Sequence, residues 1–445
     1  MGHYFTNNIP LSEHEAVNAI KQWAYPLKSK ADLQPLFNRI GNARIVMLGE
    51  ASHGTHEYYT WRSYISKRVI EEKGFNFIAV EGDWPDCYRV NRFVKGYDAD
   101  NKSAFKVLHA FNRWPTWMWA NWEIVALADW LQQHNKGLSS NKKAGFYGLD
   151  VYSLWESMES IMQYLKKTDP SALKVAEEAY HCFEPYSKEE GRAYARASQF
   201  VPEICENEVL HLLKEIQQKL PTYNTDHENA FSAEQNALVT VNAEKYYRAM
   251  IKGGPHSWNV RDKHMADTLD RLLKFHGENS KVIVWAHNTH VGDARATDMV
   301  DEGMYNIGEL ARMSYEDNEV VLVGFGSYKG SAIAGSSWGA DMQSLQMPEA
   351  RKGSLEYILH AAGKENKLLL TDELAALDVF MENHIGHRAI GVVYNPEYEQ
   401  YGNYVPTILP LRYDAFIFID ETKALHPLHI QPDSKQIPET YPFGV

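Results

Sequence analysis

The apolar segments of the chain occur in two lengths, and their alternation predicts the fold. Short runs rich in valine, isoleucine and phenylalanine predict β-strands. They lie at residues 43–49, 75–80, 144–149, 281–286, 320–325, 388–394 and 415–419. Helical patterns fill most of the gaps between these runs, and such alternation is typical of a mainly parallel sheet covered by helices on both faces. The sequence therefore predicts an α/β fold.

One gap between the predicted strands is much longer than the others. Residues 151–280 show a helical pattern almost throughout, as in the segment SLWESMESIMQYLKK. We expect this stretch to be a helical insertion that lies as a cap over the carboxyl ends of the strands. The α/β core then has an N-terminal part, residues 1–150, and a C-terminal part, residues 281–445.

A segment rich in glycine and serine follows the strand predicted at 320–325. Its sequence, GSYKGSAIAGSSWGADM, predicts a mobile loop beside a crevice. It also contains the G-x-S-x-G pattern of a serine nucleophile, from Gly335 to Gly339. This match is poorly placed, because no strong strand runs directly into it and Pro348 disturbs the helix that should follow.

Acidic and imidazole side chains follow three of the predicted strands. Glu50 and His53 end the first strand in RIVMLGEASHGTHEYY, and Glu81 ends the second in FNFIAVEGDW. His287 and His290 follow the fourth in KVIVWAHNTHVGD. Because ligands and reactive groups of open α/β sheets gather just beyond the carboxyl ends of the strands, we expect these side chains to share one crevice.

The helix predicted after the first strand carries an arginine on its apolar side. Ile65 and Val69 recur at helical spacing, and Arg62 falls in the same sector. A guanidinium there is costly unless an anion pairs with it, and Glu50 and Glu81 are the nearest candidates by topology. The alternative is that Arg62 lies at the edge of the stripe and extends to water.

Further side chains near the predicted crevice have two interpretations each. Asp150 follows an apolar strand and either contacts the substrate or caps the next helix. His56 is either structural or functional. Tryptophans in RWPTWMWANWEIV either line a substrate wall, with Trp117 as the candidate contact, or belong to the core. These tryptophans are Trp114, Trp117, Trp119 and Trp122.

Composition restricts the partners and the compartment. A formal charge of −13 with no basic run argues against nucleic-acid binding and favours a small neutral or cationic partner. No apolar run is long enough to span a membrane, and the N-terminus lacks the pattern of a secretory signal. The three cysteines, at positions 87, 182 and 205, fit neither a disulfide framework nor a zinc knuckle. We therefore predict a cytoplasmic protein in a reducing compartment.

Six separated motifs resemble the erythromycin esterase family, and the likeness runs over most of the chain. They are GEASHGTHEYY, VEGDWPDCYRVNRFV, RWPTWMWANWEIVALADWL, YGLDVYSLWESM, RDKHMADTL and WAHNTHVGD, in this order. The resemblance implies an α/β core with helical additions, a deep cleft, and hydrolysis of an ester or lactone without a serine nucleophile. Macrolide hydrolysis, and with it antibiotic resistance, is an expectation from this likeness alone.

The resemblance also implies roles for individual residues. The histidine that acts as a base on water corresponds to His53, with Glu50 and Arg62 as its companions. The glutamate after the second strand corresponds to Glu81, and the histidines of the WAHN motif correspond to His287 and His290. The chemistry of these residue types supports such roles, because a neutral imidazole beside a carboxylate is a suitable general base near neutral pH. Arg62 and one histidine of the WAHN motif remain to handle the oxyanion and the leaving alkoxide.

Two other functions use the same residues. The Glu and His side chains at the strand ends could instead bind a divalent metal in a metal-dependent hydrolase, although the family likeness points to no obligatory cofactor. The crevice could also bind a small molecule or a metal complex without catalysis. Gly324, Gly326 and Gly330 do not have the spacing of a dinucleotide-binding motif.

Overall fold

The computed structural model describes residues 12–98, 103–189, 191–200, 204–219 and 226–429. Its strands are β1 Tyr25–Pro26, β2 Ile45–Leu48, β3 Phe77–Asp83, β4 Gly145–Asp150, β5 Val282–Trp285, β6 Val320–Gly335, β7 Met342–Met347, β8 Lys367–Leu370, β9 Ile385–Arg388, β10 Tyr404–Thr407 and β11 Ala415–Thr422. The helices of the N-terminal part are α1 Glu13–Trp23, α2 Gln34–Ile40, α3 His56–Lys73, α4 Trp84–Val94, α5 Ala104–His109 and α6 Trp122–Asn135. Those of the middle part are α7 Leu154–Thr168, α8 Pro170–Phe183, α9 Arg192–Ser198, α10 Glu206–Lys219, α11 His227–Met250 and α12 His256–His276. The remaining helices are α13 Asn288–Val291, α14 Ile307–Ser314, α15 Leu355–Ala361, α16 Asp378–Met381, α17 Glu399–Gly402 and α18 Leu409–Arg412.

A mixed, mainly parallel sheet forms the centre of the molecule. Its strand order is β1-β8-β11-β6-β2-β5-β3-β4, and β7 pairs with the distal end of β6. The neighbours from β11 to β4 are all parallel, whereas β8 is antiparallel to β11 and β1 is antiparallel to β8. Strands β2, β5, β3 and β4 thus bring their carboxyl ends to adjacent positions along one edge.

Helices cover both faces of this sheet, as the near-continuous apolar runs of its strands require. In β2, Val46 and Leu48 join one hydrophobic cluster, and Ile45 and Met47 join the cluster on the opposite face. Residues of α3 and α6 complete the first cluster, and residues of α12 and α15 complete the second. The predicted α/β fold is confirmed.

Residues 320–347 differ from the prediction of a mobile loop. Strand β6 continues through the Gly/Ser-rich segment to Gly335, and β7 returns antiparallel beside it. The G-x-S-x-G match therefore lies in a hairpin connection, with Ser336 and Ser337 exposed and no helix behind them. A nucleophilic serine of that class needs a strand followed by a helix, so the local structure does not support this interpretation.

The strand predicted at 388–394 is also wrong in part. The short strand β9 ends at Arg388 and pairs only with β10, outside the central sheet. Beyond it, single bridges join Ile390 to Ser52 and Val393 to Gly335. Side-chain pattern alone does not distinguish such a buried, irregular segment from a strand of the sheet.

The described residues between β4 and β5 are mainly helical and pack partly on themselves. Two hydrophobic clusters separate from those of the sheet are built from α7 to α11. Helix α12 connects this layer to the sheet, because Met265 and Leu272 belong to a cluster on the sheet. Its Arg261 reaches Glu81 and Asp150 at the ends of β3 and β4.

A disulfide bond between Cys182 and Cys205 contradicts the expectation that the cysteines do not fit a disulfide framework. The two residues lie 23 positions apart, and the folding of the chain after α8 brings their Cα atoms to 5.9 Å. Cys87 is free and buried. Disulfides persist mainly in oxidising compartments, so the cytoplasmic location remains a prediction. None of the helices within the described ranges is long and apolar enough to cross a membrane.

Candidate active site

The turn after β2 places Glu50 and His53 at the centre of the strand ends. Gly54 is required there by close contact, because a Cβ atom on it would lie 1.9 Å from the carbonyl oxygen of Ile333. The Gly54 carbonyl in turn accepts hydrogen bonds from the backbone N–H groups of Ile333 and Leu425. The turn that carries His53 is therefore clamped between β6 and the segment after β11.

Glu50 connects His53 to Arg62 in a buried chain of contacts. His53 Nδ1 lies 2.9 Å from Glu50 Oε1, and Arg62 Nη2 donates to Glu50 Oε2 at 2.5 Å. The Arg62 guanidinium also lies over the rings of Tyr59 and Trp285, at 4.4 and 4.6 Å from their centroids. Arg62 is fully buried, which confirms its place on the apolar stripe of α3 and excludes the alternative that it extends to water.

A second ion-paired network lies at the ends of β3 and β4. Arg261 of α12 donates through Nε and Nη2 to both carboxylate oxygens of Asp150, at 2.9 and 2.6 Å, and Nη2 also reaches Glu81 Oε1 at 2.6 Å. Burial would raise the pKa of Glu81, but the positive charges of His290 and Arg261 hold it well below its usual value. Glu81 is therefore a carboxylate, and its Oε2 accepts the backbone N–H of His287 at 2.8 Å.

The structure distinguishes the two histidines of the WAHN motif. The ring of His287 lies beside that of His53, with 4.9 Å between centroids. Its Nδ1 lies 2.8 Å from Thr289 Oγ1 and accepts the Thr289 backbone N–H at 3.3 Å, whereas its buried Nε2 meets no hydrogen-bond partner of good geometry within the described residues. Burial, followed by the neighbouring His53, lowers the pKa of His287 well below its usual value. His287 is thus a neutral imidazole with an N–H at Nε2.

His290 lies behind this pair. Its ring stacks on Trp258 at 4.5 Å, and its Nδ1 lies 2.9 and 3.0 Å from the two carboxylate oxygens of Asp262. Burial lowers the pKa of His290, but the carboxylates of Asp262 and Glu81 outweigh this and raise it to about 9. His290 Nε2 lies 3.0 Å from Arg261 Nη1 and 3.4 Å from Glu81 Oε1, so this ring belongs to the ion-paired network and not to the pair formed with His53.

A crevice that is partly open to solvent leads to these side chains. His53, Glu81, Asp150 and Arg261 form its polar floor. Its apolar wall consists of Phe111, Trp114, Pro115, Met118, Trp119, Trp338 and Val392.

Trp117 does not lie on this wall. It is fully buried behind Trp114, with the two rings edge to face at 5.5 Å. Trp122 points away and stacks on Phe105 at the surface. The expectation that Trp117 contacts substrate is therefore corrected in favour of Trp114, because the short helical turn at 116–118 directs Trp117 into the core.

A charged pair lies at the rim of the crevice. Arg113 Nη1 donates to Asp83 Oδ2 at 2.5 Å. Burial raises the pKa of Asp83 to about 7 even though Arg113 opposes this shift. Sequence reasoning had not identified this pair, since Asp83 directly follows Glu81 and Gly82 at the strand end and Arg113 lies in an irregular segment.

The site residues predicted from the sequence thus lie in two layers, one at the crevice and one behind it. Those that reach the crevice are His53, Glu81 and Asp150. Glu50, Arg62 and His290 lie behind them, and His287 is buried against His53. Arg261 and Asp262 were missed, although Arg261, Met265 and Leu269 share an apolar stripe like the one that revealed Arg62.

Comparison with known proteins defines the class. The fold is that of an α/β protein with a histidine and carboxylate crevice, and residues 70–422 match the family model described as erythromycin esterase. The erythromycin esterase type II of Escherichia coli is 23% identical over 371 residues, covering 78% of this chain and 84% of the relative. The chain therefore belongs to the erythromycin esterase family, and this membership supports a hydrolase.

Solved structures share the fold. A Bacillus cereus protein superposes with a TM-score of 0.78 and 21% identity, covering 94% of this chain and 100% of its own. A mutant erythromycin esterase in its open conformation gives 0.65 and 16%, covering 88% of this chain and 94% of its own.

Proposed function

We propose that the protein hydrolyses a carboxylic ester or lactone by direct attack of a water molecule activated at His53, without a covalent enzyme intermediate. The observation that carries this proposal is the buried chain from Arg62 through Glu50 to His53, which ends at the crevice. The small-molecule ester or lactone is the partner, and neither nucleic acid nor membrane takes part.

Glu50 prepares His53 to act as the base. Since the Glu50 carboxylate accepts a hydrogen bond from the Nδ1–H of His53, the Nε2 lone pair is left to accept a proton from a water molecule in the crevice. As the water oxygen bonds to the carbonyl carbon, Nε2 takes one of its protons and the carbonyl oxygen becomes an oxyanion. When the oxyanion collapses, the C–O bond to the leaving group breaks, and the protonated His53 returns its proton to the departing alkoxide.

His287 is suited to stabilise the oxyanion. With Nδ1 accepting the Thr289 N–H, the proton of His287 lies on Nε2, in a buried site next to His53. A preorganised N–H in a site of low dielectric is more effective than the same group in water. Arg62, which the sequence suggested for this task, is separated from the crevice by Glu50 and acts as a positioning residue. Arg261 is the arginine that reaches the crevice.

The crevice favours a bulky and largely apolar ester. Trp114, Trp119 and Trp338 offer aromatic surface on one side, and acidic groups at the rim favour a neutral or cationic molecule over an anion. A macrolide satisfies both conditions, and the printed names of two relatives refer to erythromycin esterases. Macrolide hydrolysis, and resistance through it, is the specific form of this proposal.

We propose that no metal cofactor is required. Glu81 at the crevice is already paired with Arg261, and Glu50 behind it is paired with Arg62, so a divalent ion would have to displace an arginine. A metal-dependent hydrolase and a protein that binds without catalysis are the alternatives to this proposal.

Mass spectrometry after incubation tests the proposal. Protein freed of metals with a chelator is incubated with erythromycin and with a panel of simpler esters and lactones, and products heavier by one water are sought. We expect hydrolysis of at least one member, with no acyl-enzyme in intact-protein spectra of the quenched reaction. Hydrolysis that begins only when a divalent metal is restored would favour the metal-dependent alternative. Retention of an unaltered ligand would favour a binding protein.

A further inference from the structure

Three side chains outside the crevice converge from separate elements. His56 begins α3, Glu123 lies in the first turn of α6, and His426 belongs to the segment after β11. The Nδ1 atoms of His56 and His426 lie 2.6 and 2.7 Å from the same oxygen, Oε1 of Glu123. In the part of the chain that the structure describes, this is the one group of at least three histidine, cysteine or carboxylate side chains whose ligand atoms all lie within 4.8 Å of one another.

The donor set fits a transition metal. Two imidazoles and one carboxylate, with a fourth position left to water, are a common set for Zn²⁺. The two Nδ1 atoms already point at one carboxylate oxygen, so an ion that replaces their protons needs only small outward shifts of the three side chains. Neutral imidazoles with one carboxylate leave a net charge of −1, which attracts a divalent cation.

The group is accessible to an ion from solution. Glu123 is buried, with 4% of its side chain exposed, whereas the side chains of His56 and His426 are 33% and 62% exposed. A shallow surface cavity adjoins the three residues and is lined also by Lys30 and Lys67. These lysines are not ligands, and their positive charges reduce the attraction of the site for a cation.

An ion at this position would fasten the C-terminal segment to two helices. The segment is already held by hydrogen bonds from the His56 N–H to the Lys423 carbonyl, at 2.8 Å, and from the Trp122 N–H to the His426 carbonyl, at 3.0 Å. Between those two positions, the Leu425 N–H bonds to Gly54 at 2.9 Å, directly after His53. The cluster therefore lies close in the chain to the turn that carries His53, yet it does not open into the crevice.

We propose that His56, Glu123 and His426 form a binding site for one Zn²⁺ or a similar transition-metal ion, which joins the segment 423–428 to α3 and α6. The site is structural and is separate from the crevice. This proposal is independent of the proposed hydrolysis.

Metal titration of the full chain tests this site. The protein is stripped with a chelator, desalted and titrated with Zn²⁺ by calorimetry, and Co²⁺ serves as a coloured probe of the coordination. We expect one ion per chain and a rise in Tm on binding. Because even groups that only orient a ligand are worth about 10- to 100-fold in metal affinity, His426→Ala should weaken binding by about 100-fold.

Three variants make the result specific. His426→Ala removes an exposed side chain, so its Tm without metal should stay close to that of the parent. His384→Ala, which removes an exposed histidine in the connection between α16 and β9, should bind Zn²⁺ as the parent does. Equal affinity of the parent and His426→Ala would overturn the proposal, as would loss of the ion in His287→Ala with retention in His426→Ala.

Discussion

His53 and His56 lie three positions apart, and each directs Nδ1 at a buried glutamate, yet their surroundings differ. The partner of His53, Glu50, is also held by the buried Arg62, and His53 faces a crevice. The partner of His56, Glu123, is shared with a second histidine at the surface. A His–Glu pair therefore does not define a function by itself. The two pairs differ in the other partner of the glutamate, which is Arg62 for Glu50 and His426 for Glu123, and in the exposure of that partner to solvent.

The crevice and the surface cluster also differ in the direction in which the pKa of a buried acid is shifted. At the crevice rim, burial raises the pKa of Asp83 to about 7 in spite of its arginine. In the surface cluster, burial also acts to raise the pKa of Glu123, but hydrogen bonds from His56 and His426 lower it below its usual value. The crevice thus keeps an acid that titrates near neutrality, and the surface cluster keeps a carboxylate.

The largest expected effect is on Arg62. Arg62→Ala leaves the buried Glu50 charge without its cation, which should lower the free energy of unfolding by about 3–5 kcal/mol and reduce hydrolysis as well. Arg68→Ala on the same helix is the matched control, because Arg68 pairs with the exposed Glu72 and should cost about 1 kcal/mol or less. Chemical denaturation measures both, and equal losses in the two variants would contradict the buried pairing.

A medium effect is expected from Asp83→Asn as pH changes. The folded-state pKa of Asp83 is raised, so the folded protein binds this proton more tightly than the unfolded chain, and stability falls as pH rises towards 7. Between pH 5 and 8 the parent should lose about 2 kcal/mol that the asparagine variant keeps. Denaturation curves at several pH values measure this difference. Parallel pH profiles of the two proteins would show that Asp83 titrates normally.

The smallest expected effect concerns the apolar wall. Trp114→Ala should raise KM by about tenfold with a smaller change in kcat, because one apolar contact in a pocket is worth about 1–3 kcal/mol. Trp23→Ala, at the partly exposed end of α1, is the control and should leave KM unchanged. Steady-state kinetics on a hydrolysed member of the ester panel provide the measurement, and a KM insensitive to Trp114 would place the substrate elsewhere.

Much of the fold could be predicted because its strands are short, apolar and separated by helices. The runs around β2, β3, β4 and β5 agree with the structure, and the described residues between β4 and β5 are mainly helical. The sequence predicts only the first part of β6, because the second half is rich in glycine and serine and is stabilised by pairing with β7. The pairing of Cys182 with Cys205 depends on how α8 and the following chain fold back, which spacing alone does not reveal.

The site could be predicted only as far as strand ends reveal it. Glu50, His53 and Glu81 follow apolar runs, and their convergence agrees with the rule for parallel sheets. Arg261 comes from a helix 180 positions after Glu81, and His426 from a segment 303 positions after Glu123, so no local pattern could join them. The sequence does not reveal that Trp114 faces the crevice and Trp117 the core, because this depends on the direction of the short helical turn at 116–118.

The most direct test of the difference between the two His–Glu pairs measures two properties of the same variant, His53→Ala. Hydrolysis of the ester panel and binding of Zn²⁺ are measured on this variant and on the parent, together with the Tm of each. We predict that hydrolysis falls by about 100- to 10,000-fold, the range typical of a lost general base, while Tm and the affinity for one Zn²⁺ stay unchanged. Retained hydrolysis, or loss of the metal together with activity, would contradict the assignment of catalysis to His53 and of metal binding to His56, Glu123 and His426.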